Sequence, residues 1–291
     1  MSELVTHIAV ADDAVLLAQA SGRIEPEIKR VLREQVQAMR LGALTRKTEQ
    51  FAGPVVRTLR ERKADPKDGD AEKLAFCLGS MAHRAADRML KPIFASAAAD
   101  GKYTTKQIRV YHDVFLFDRL YGRGKSGPFP EGLMDETAPP PVPAAADVNL
   151  AALERYHYLL FQRAMLATHT FKPDIDDPEG WLERLFDRVQ DLSNDIRMYH
   201  RQLTAPEEEL HRRAVADVNF YNEGDRLMGL LADLRAGKSV SEEEFTRRNH
   251  LGDKDCLYGR SVSASYGYWQ TTNEYWAGRA SWELFEDAIR R

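Results

Sequence analysis

Apolar residues recur at three- and four-residue steps along most of the chain, and runs in which β-branched or aromatic residues alternate with polar ones are nearly absent. This pattern predicts an all-α fold. A first helix is expected from Thr6 to Ala18, stopped by Ser21-Gly22, and a second from Pro26 to Leu41, stopped near Gly42. The next helical stretch reaches Glu61 and carries Gly53-Pro54, which should kink or divide it. A polar loop, Ala64 to Asp70, precedes helices at about 71–91 and 104–121, with Pro92 and Asp100-Gly101 between them. Later helices are expected near 150–170, 179–202, 206–236, 241–249 and 260–290. Thr204-Ala205-Pro206-Glu207 reads as the opening of a capping box. The aromatic residues Tyr258, Tyr266, Tyr268, Trp269, Tyr275, Trp276 and Trp282 are expected to pack a terminal helical layer.

Gly122 to Asp147 is glycine-rich and then proline-rich, centred on Pro139-Pro140-Pro141-Val142-Pro143. It divides the chain into residues 1–125, a linker or surface loop at 126–149, and a helical region 150–291 that either stands apart or packs into the same domain.

Composition narrows the class. The chain has 291 residues, 43% of them hydrophobic and 30% charged, enough to bury a substantial core in one large domain or two smaller ones. A net charge of −4 gives no general attraction to phosphate backbones, so no nucleic-acid partner is expected. Two cysteines, Cys77 and Cys256, without Cys-x-x-Cys spacing support neither a disulfide framework nor a thiolate zinc finger. The N-terminal residues lack a basic stretch, and Asp12-Asp13 interrupt the apolar run that follows, so no secretory signal is read there. No window approaches the roughly 20 apolar residues of a spanning helix. The expectation is a cytoplasmic protein without stable membrane association.

The segment from Leu74 to Pro92 carries the chemistry. At 100° per residue, Leu74, Leu78, Met81, Ala85 and Met89 line one face, while Lys73, Arg84 and Arg88 form a charged flank. His83 and Asp87 fall on a second, mostly apolar or small stripe with Phe76, Gly79 and Leu90. Four residues apart on a helix, an imidazole and a carboxylate can reach one ion. They can equally close a core by bonding to each other. His112 lies among Ile108, Phe115 and Leu116 on a helix apolar around most of its circumference, and His7 opens the first helix. Together His7, His83, Asp87 and His112 offer three nitrogen donors and one carboxylate, a set that suits zinc or another divalent metal.

In that order the set resembles the zinc-dependent phospholipase C family. These are all-helical enzymes in which an early His, a Gly-x-x-x-His-x-x-x-Asp helix and a later His helix surround metal ions that activate water. The matching residues are His7, the run from Gly79 to Asp87 with Lys91-Pro92 behind it, and His112, so the resemblance covers about the first 125 residues. It implies a multi-helix bundle with additional C-terminal helices, and a metal-dependent phosphoester hydrolase. Two departures stand out. The Pro-Asp pair the family carries after an early Leu-Gly-Ala is replaced, since Leu41-Gly42-Ala43-Leu44 continues into Thr45-Arg46-Lys47, and the Glu four residues after the later His is here Leu116. A reduced site of one or two metals is therefore expected, with a soluble phosphoester as substrate.

Two rivals remain open. Metal phosphohydrolases of the HD type would use His112-Asp113 with an upstream His, for which His83 is the candidate, and a further Asp downstream. A non-catalytic helical scaffold would use the same fold without a metal. His157, His169, His200, His211 and His250 show no mutual metal spacing except the loose His200…His211 pair, and all five are assigned to core or surface.

Overall fold

The computed structural model describes residues 4–122, 176–180, 183–184, 198, 201–202, 205–250, 252 and 255–290. Every regular element among them is helical, as the periodicity predicted. The helices are α1 (Leu4–Ala20), α2 (Pro26–Glu34), α3 (Val36–Ala43), α4 (Thr48–Glu61), α5 (Asp70–Ala97), α6 (Thr105–Tyr121), α7 (Glu208–His211), α8 (Arg226–Arg235), α9 (Glu242–Arg248), α10 (Leu257–Trp276) and α11 (Trp282–Arg290). A π-helical turn, Arg212–Ala216, follows α7. The helices expected at 150–170 and most of 179–202, the proline-rich linker and Thr204 lie outside the described residues.

The chain forms two compact units. One joins Glu3–Ile108 to Arg212–Arg291, and the other is Arg109–His211. The C-terminal helices α8 to α11 thus belong with α1 to α5 rather than to a separate half.

Within the first unit α5 is central, and α1, α2, α3, α4 and α10 all pack against it. Of its predicted apolar face Leu74, Leu78, Met81 and Ala85 are buried and Met89 is half-buried. α1 is buried on nearly every side, through Val5, Ile8, Val10, Ala14 and Leu17, as befits a helix inside a bundle. The two aspartates that break its hydrophobic run are both paired. Asp12 takes a bidentate pair of hydrogen bonds from Arg40 at 2.9 and 3.0 Å. Asp13, 4% exposed, is held by Arg235 of α8 and accepts the Tyr258 hydroxyl of α10 at 2.5 Å.

Several boundaries differ from the periodic reading, each for a local reason. The helix expected over 26–41 breaks at Gln35, giving α2 and α3. α4 stays one helix through Gly53-Pro54, and α5 runs through Pro92 to Ala97. A proline removes one backbone donor, but Leu90 and Phe94 on either side of Pro92 are buried and hold the last turns against the core. The segment 206–236 is divided by Asn219, in the left-handed region at φ 47°, and 260–290 by Gly278 at φ 80°. The α10 aromatics Tyr258, Tyr266, Trp269, Tyr275 and Trp276 are buried, forming the expected layer.

α3 and α5 cross with almost no room between them. A Cβ on Gly42 would stand 2.0 Å from the Phe76 carbonyl oxygen, and one on Gly79 would stand 1.8 Å from that of Met39. Only glycine at both places permits this approach.

Candidate metal and anion site

Three of the four sequence-predicted ligands converge in the first unit. His7 on α1 and His83 on α5 stack their rings with centroids 4.0 Å apart at an interplanar angle of 22°. Asp87, one turn after His83, places Oδ1 3.6 Å from His7 Nε2 and Oδ2 3.3 Å from His83 Nε2. One donor atom from each residue lies within 4.8 Å of the others. His112 is fully buried in the second unit and is not part of this group. Asp113 is buried there too, and the ring stacked on His83 is that of His7.

Backbone geometry fixes how His83 presents itself. Its Nδ1 lies 2.9 Å from the Ala43 carbonyl oxygen. A carbonyl only accepts, so Nδ1 carries the proton and, in the neutral ring, Nε2 carries a lone pair. The Gly42–Gly79 crossing is what brings the end of α3 close enough for this bond. Burial pushes the His83 imidazole below the ordinary histidine range, His7 beside it adds to the shift, and the smaller upward pulls of Asp87 and the Ala43 carbonyl do not reverse it. Burial opposes the charge of Asp87, but its contacts with His83, His7 and Lys91 outweigh that and hold it below the usual carboxylate range.

A neutral His83 therefore aims a lone pair at an ionised carboxylate. Its Nε2 lies 3.3 Å from Asp87 Oδ2 and has no hydrogen-bond partner. Such a face-off is repulsive unless a cation lies between the two. A tetrahedral ion with bonds of about 2.0–2.2 Å holds its ligand atoms about 3.4 Å apart, and the two measured separations bracket that value. A ligand histidine whose other nitrogen donates to a backbone carbonyl is the usual supporting arrangement in metal sites. The residues present thus fit a divalent ion held by two imidazoles and one carboxylate.

One cation already touches the carboxylate. The Lys91 ammonium, a turn further along α5, makes an ion pair with Asp87 Oδ2.

His83 and Asp87 open onto a cavity of about 490 Å³ between the start of α4 and the second half of α5. Its charged lining is mostly basic: Arg46, Lys47, Arg84, Arg88 and Lys91 against Glu49 and Asp87. Arg84 is paired with Glu49 at 2.8 Å, while Arg88 donates to the Tyr268 hydroxyl at 2.6 Å and to the Arg290 carbonyl at 3.2 Å. Arg46 and Lys47 are exposed and form no ion pair among the described residues. Thr48, the first residue of α4, anchors that helix end by donating to the Ser80 carbonyl at 2.6 Å.

The sequence pattern singled out His7, His83 and Asp87, and the departure from the family's Pro-Asp pair pointed to Arg46, but the rest of their surroundings did not show in it. Ala43 acts through its backbone, which leaves no side-chain signature. Arg84 and Arg88 lie in an ordinary charged helix flank and Lys47 just before α4, and only a fold that brings α4 against α5 makes them neighbours. Comparison with family models, with curated proteins and with solved structures finds no match.

Proposed function

We propose that His7, His83 and Asp87 bind a divalent metal ion, zinc by ligand preference, and that the chain is a metal-dependent phosphoester hydrolase with a reduced metal site. The observation that carries this reading is the His83 lone pair facing the Asp87 carboxylate across 3.3 Å, with the other ring nitrogen committed to Ala43. When bound, such an ion supplies positive charge to phosphate oxygens and lowers the pKa of water toward about 7. His7 and His83 contribute neutral donors, Asp87 contributes the charge, and Ala43 holds the His83 ring in its orientation. The basic lining of the cavity favours a substrate that carries negative charge.

A non-catalytic scaffold is favoured by one observation, the Lys91 ion pair, which gives Asp87 a cation without any metal. Elemental analysis of protein purified without chelator or a metal-binding tag separates the two readings. The hydrolase reading expects about one equivalent of metal, phosphoesterase activity, and loss of both in folded His83→Ala and Asp87→Ala proteins. It fails if the protein takes up neither zinc nor manganese at micromolar concentration and becomes more stable when a hydrophobic residue replaces His83.

A further inference from the structure

We propose that the start of α4, with Arg46 and Lys47, is a binding subsite for a dianionic phosphate group, so that the substrate class is a phosphomonoester. This rests on reading the adjoining His7–His83–Asp87 cluster as the reacting end of the same cavity.

Three features mark this corner. Lys47 adopts the left-handed conformation at φ 64°, which disfavours a side chain with a Cβ. Arg46 and Lys47 put two cations beside the positive end of a 14-residue helix, where the macrodipole favours anions. Neither cation has an ion-pair partner among the described residues, and Glu49, the acidic residue of the first turn, is engaged by Arg84. Departures from local preference that have no structural return concentrate at functional sites. His83, 6% exposed and with no hydrogen bond at Nε2, lines the same cavity.

Charge selects among phosphate esters. Arg84 with Glu49 and Lys91 with Asp87 cancel, leaving Arg46, Lys47 and Arg88 uncompensated before any metal is counted. Two side-chain cations beside the positive end of α4 suit the terminal oxygens of a dianion better than a singly charged diester.

Calorimetric titration of the full chain with inorganic phosphate and with dimethyl phosphate, with zinc and with chelator, tests the assignment. Phosphate is expected to bind more tightly than dimethyl phosphate and to weaken as salt is raised. Replacing Arg46 by Ala and Lys47 by Gly together should weaken phosphate by at least about tenfold, the loss of charge-assisted hydrogen bonds. Zinc content should be unchanged, and Lys47→Gly alone should raise Tm because glycine accepts the left-handed conformation. Vesicles containing phosphatidic acid, compared with phosphatidylcholine alone, distinguish a lipid headgroup from a soluble ester as the source of the dianion. Unchanged phosphate affinity in the double variant, or no measurable phosphate binding by the wild type, overturns the subsite even where zinc binds. Equal affinity for phosphate and dimethyl phosphate overturns the dianion assignment. Arg46- and Lys47-dependent phosphate binding in a chain that takes up no metal retains the subsite and removes the metal.

Discussion

His83 shows how one backbone contact gives a side chain its chemical character. The bond to Ala43 makes Nδ1 the donor, and the lone pair left at Nε2 meets a carboxylate that also touches Lys91. Lys91 and a metal ion would compete for Asp87, so Lys91→Met should tighten zinc binding, measured by competition with a chromogenic chelator. A weaker affinity would show that the ammonium supports the site. The two cysteines behave differently from such a site. Cys77 and Cys256 are 1% and 0% exposed, and burial above all pushes each thiol up to about 12. Both should resist Ellman's reagent at pH 8 in the native protein and react on unfolding. The unfolded thiols ionise near pH 8.5 while the folded ones keep their protons. Their contribution to stability is therefore complete below about pH 8.5 and is lost as pH rises toward the folded value. Cys77→Ala should reduce the alkaline loss in urea midpoint. At this scale the sequence showed the three ligands, through i,i+4 spacing and the order of histidines, but not the carbonyl and the cations that give them their chemistry.

At the scale of elements, the cluster depends on a helix crossing. Gly42 and Gly79 let α3 and α5 touch, and the carbonyl one residue after Gly42 bonds the histidine one turn after Gly79. Gly79→Ala would press a methyl against the Met39 carbonyl and force the helices apart, costing about 3 kcal/mol by analogy with overpacked cores. The same shift would lengthen the Ala43–His83 bond. The variant should therefore lose both urea stability and metal affinity, whereas Gly267→Ala on α10, where an added Cβ meets nothing within 4 Å, should lose neither. Gly79 was visible in sequence as part of a motif, and its steric role was not, because a close crossing involves a second helix that periodicity cannot place. Periodicity likewise missed the passage of α5 through Pro92, since buried Leu90 and Phe94 outweigh one lost hydrogen bond.

At the scale of the whole molecule, the proline-rich stretch left open whether the C-terminal helices stand apart or share a domain with the first ones, and the compact unit that holds the cluster joins residues 3–108 to 212–291. The tie is physical. Trp269 of α10 donates to the Leu78 carbonyl of α5 at 2.8 Å, Tyr266 donates to Ser21 at 2.6 Å, and Asn273 bonds backbone on either side of Ile24 at 3.0 and 2.7 Å. Burying Tyr258, Tyr266 and Trp269 contributes roughly 1.5–3 kcal/mol each, together comparable to the net stability of a typical domain, about 5–15 kcal/mol. A fragment ending at residue 125 lacks all three and should show no cooperative unfolding transition. The first unit on its own is a different matter, because its two segments meet: Arg213 pairs with Asp100 at 2.6 Å and lies over the Tyr103 ring at 5.6 Å. Replacing residues 109–211 by a short Gly/Ser linker should therefore leave a protein that unfolds in one cooperative step. This deletion also decides the standing of His112, which it removes while keeping His7, His83 and Asp87. If those three suffice, zinc affinity in the deletion protein should match that of the full chain within about threefold, a difference near RT ln 3 or about 0.6 kcal/mol. A folded deletion protein that binds zinc a hundredfold more weakly would show that the three residues do not suffice.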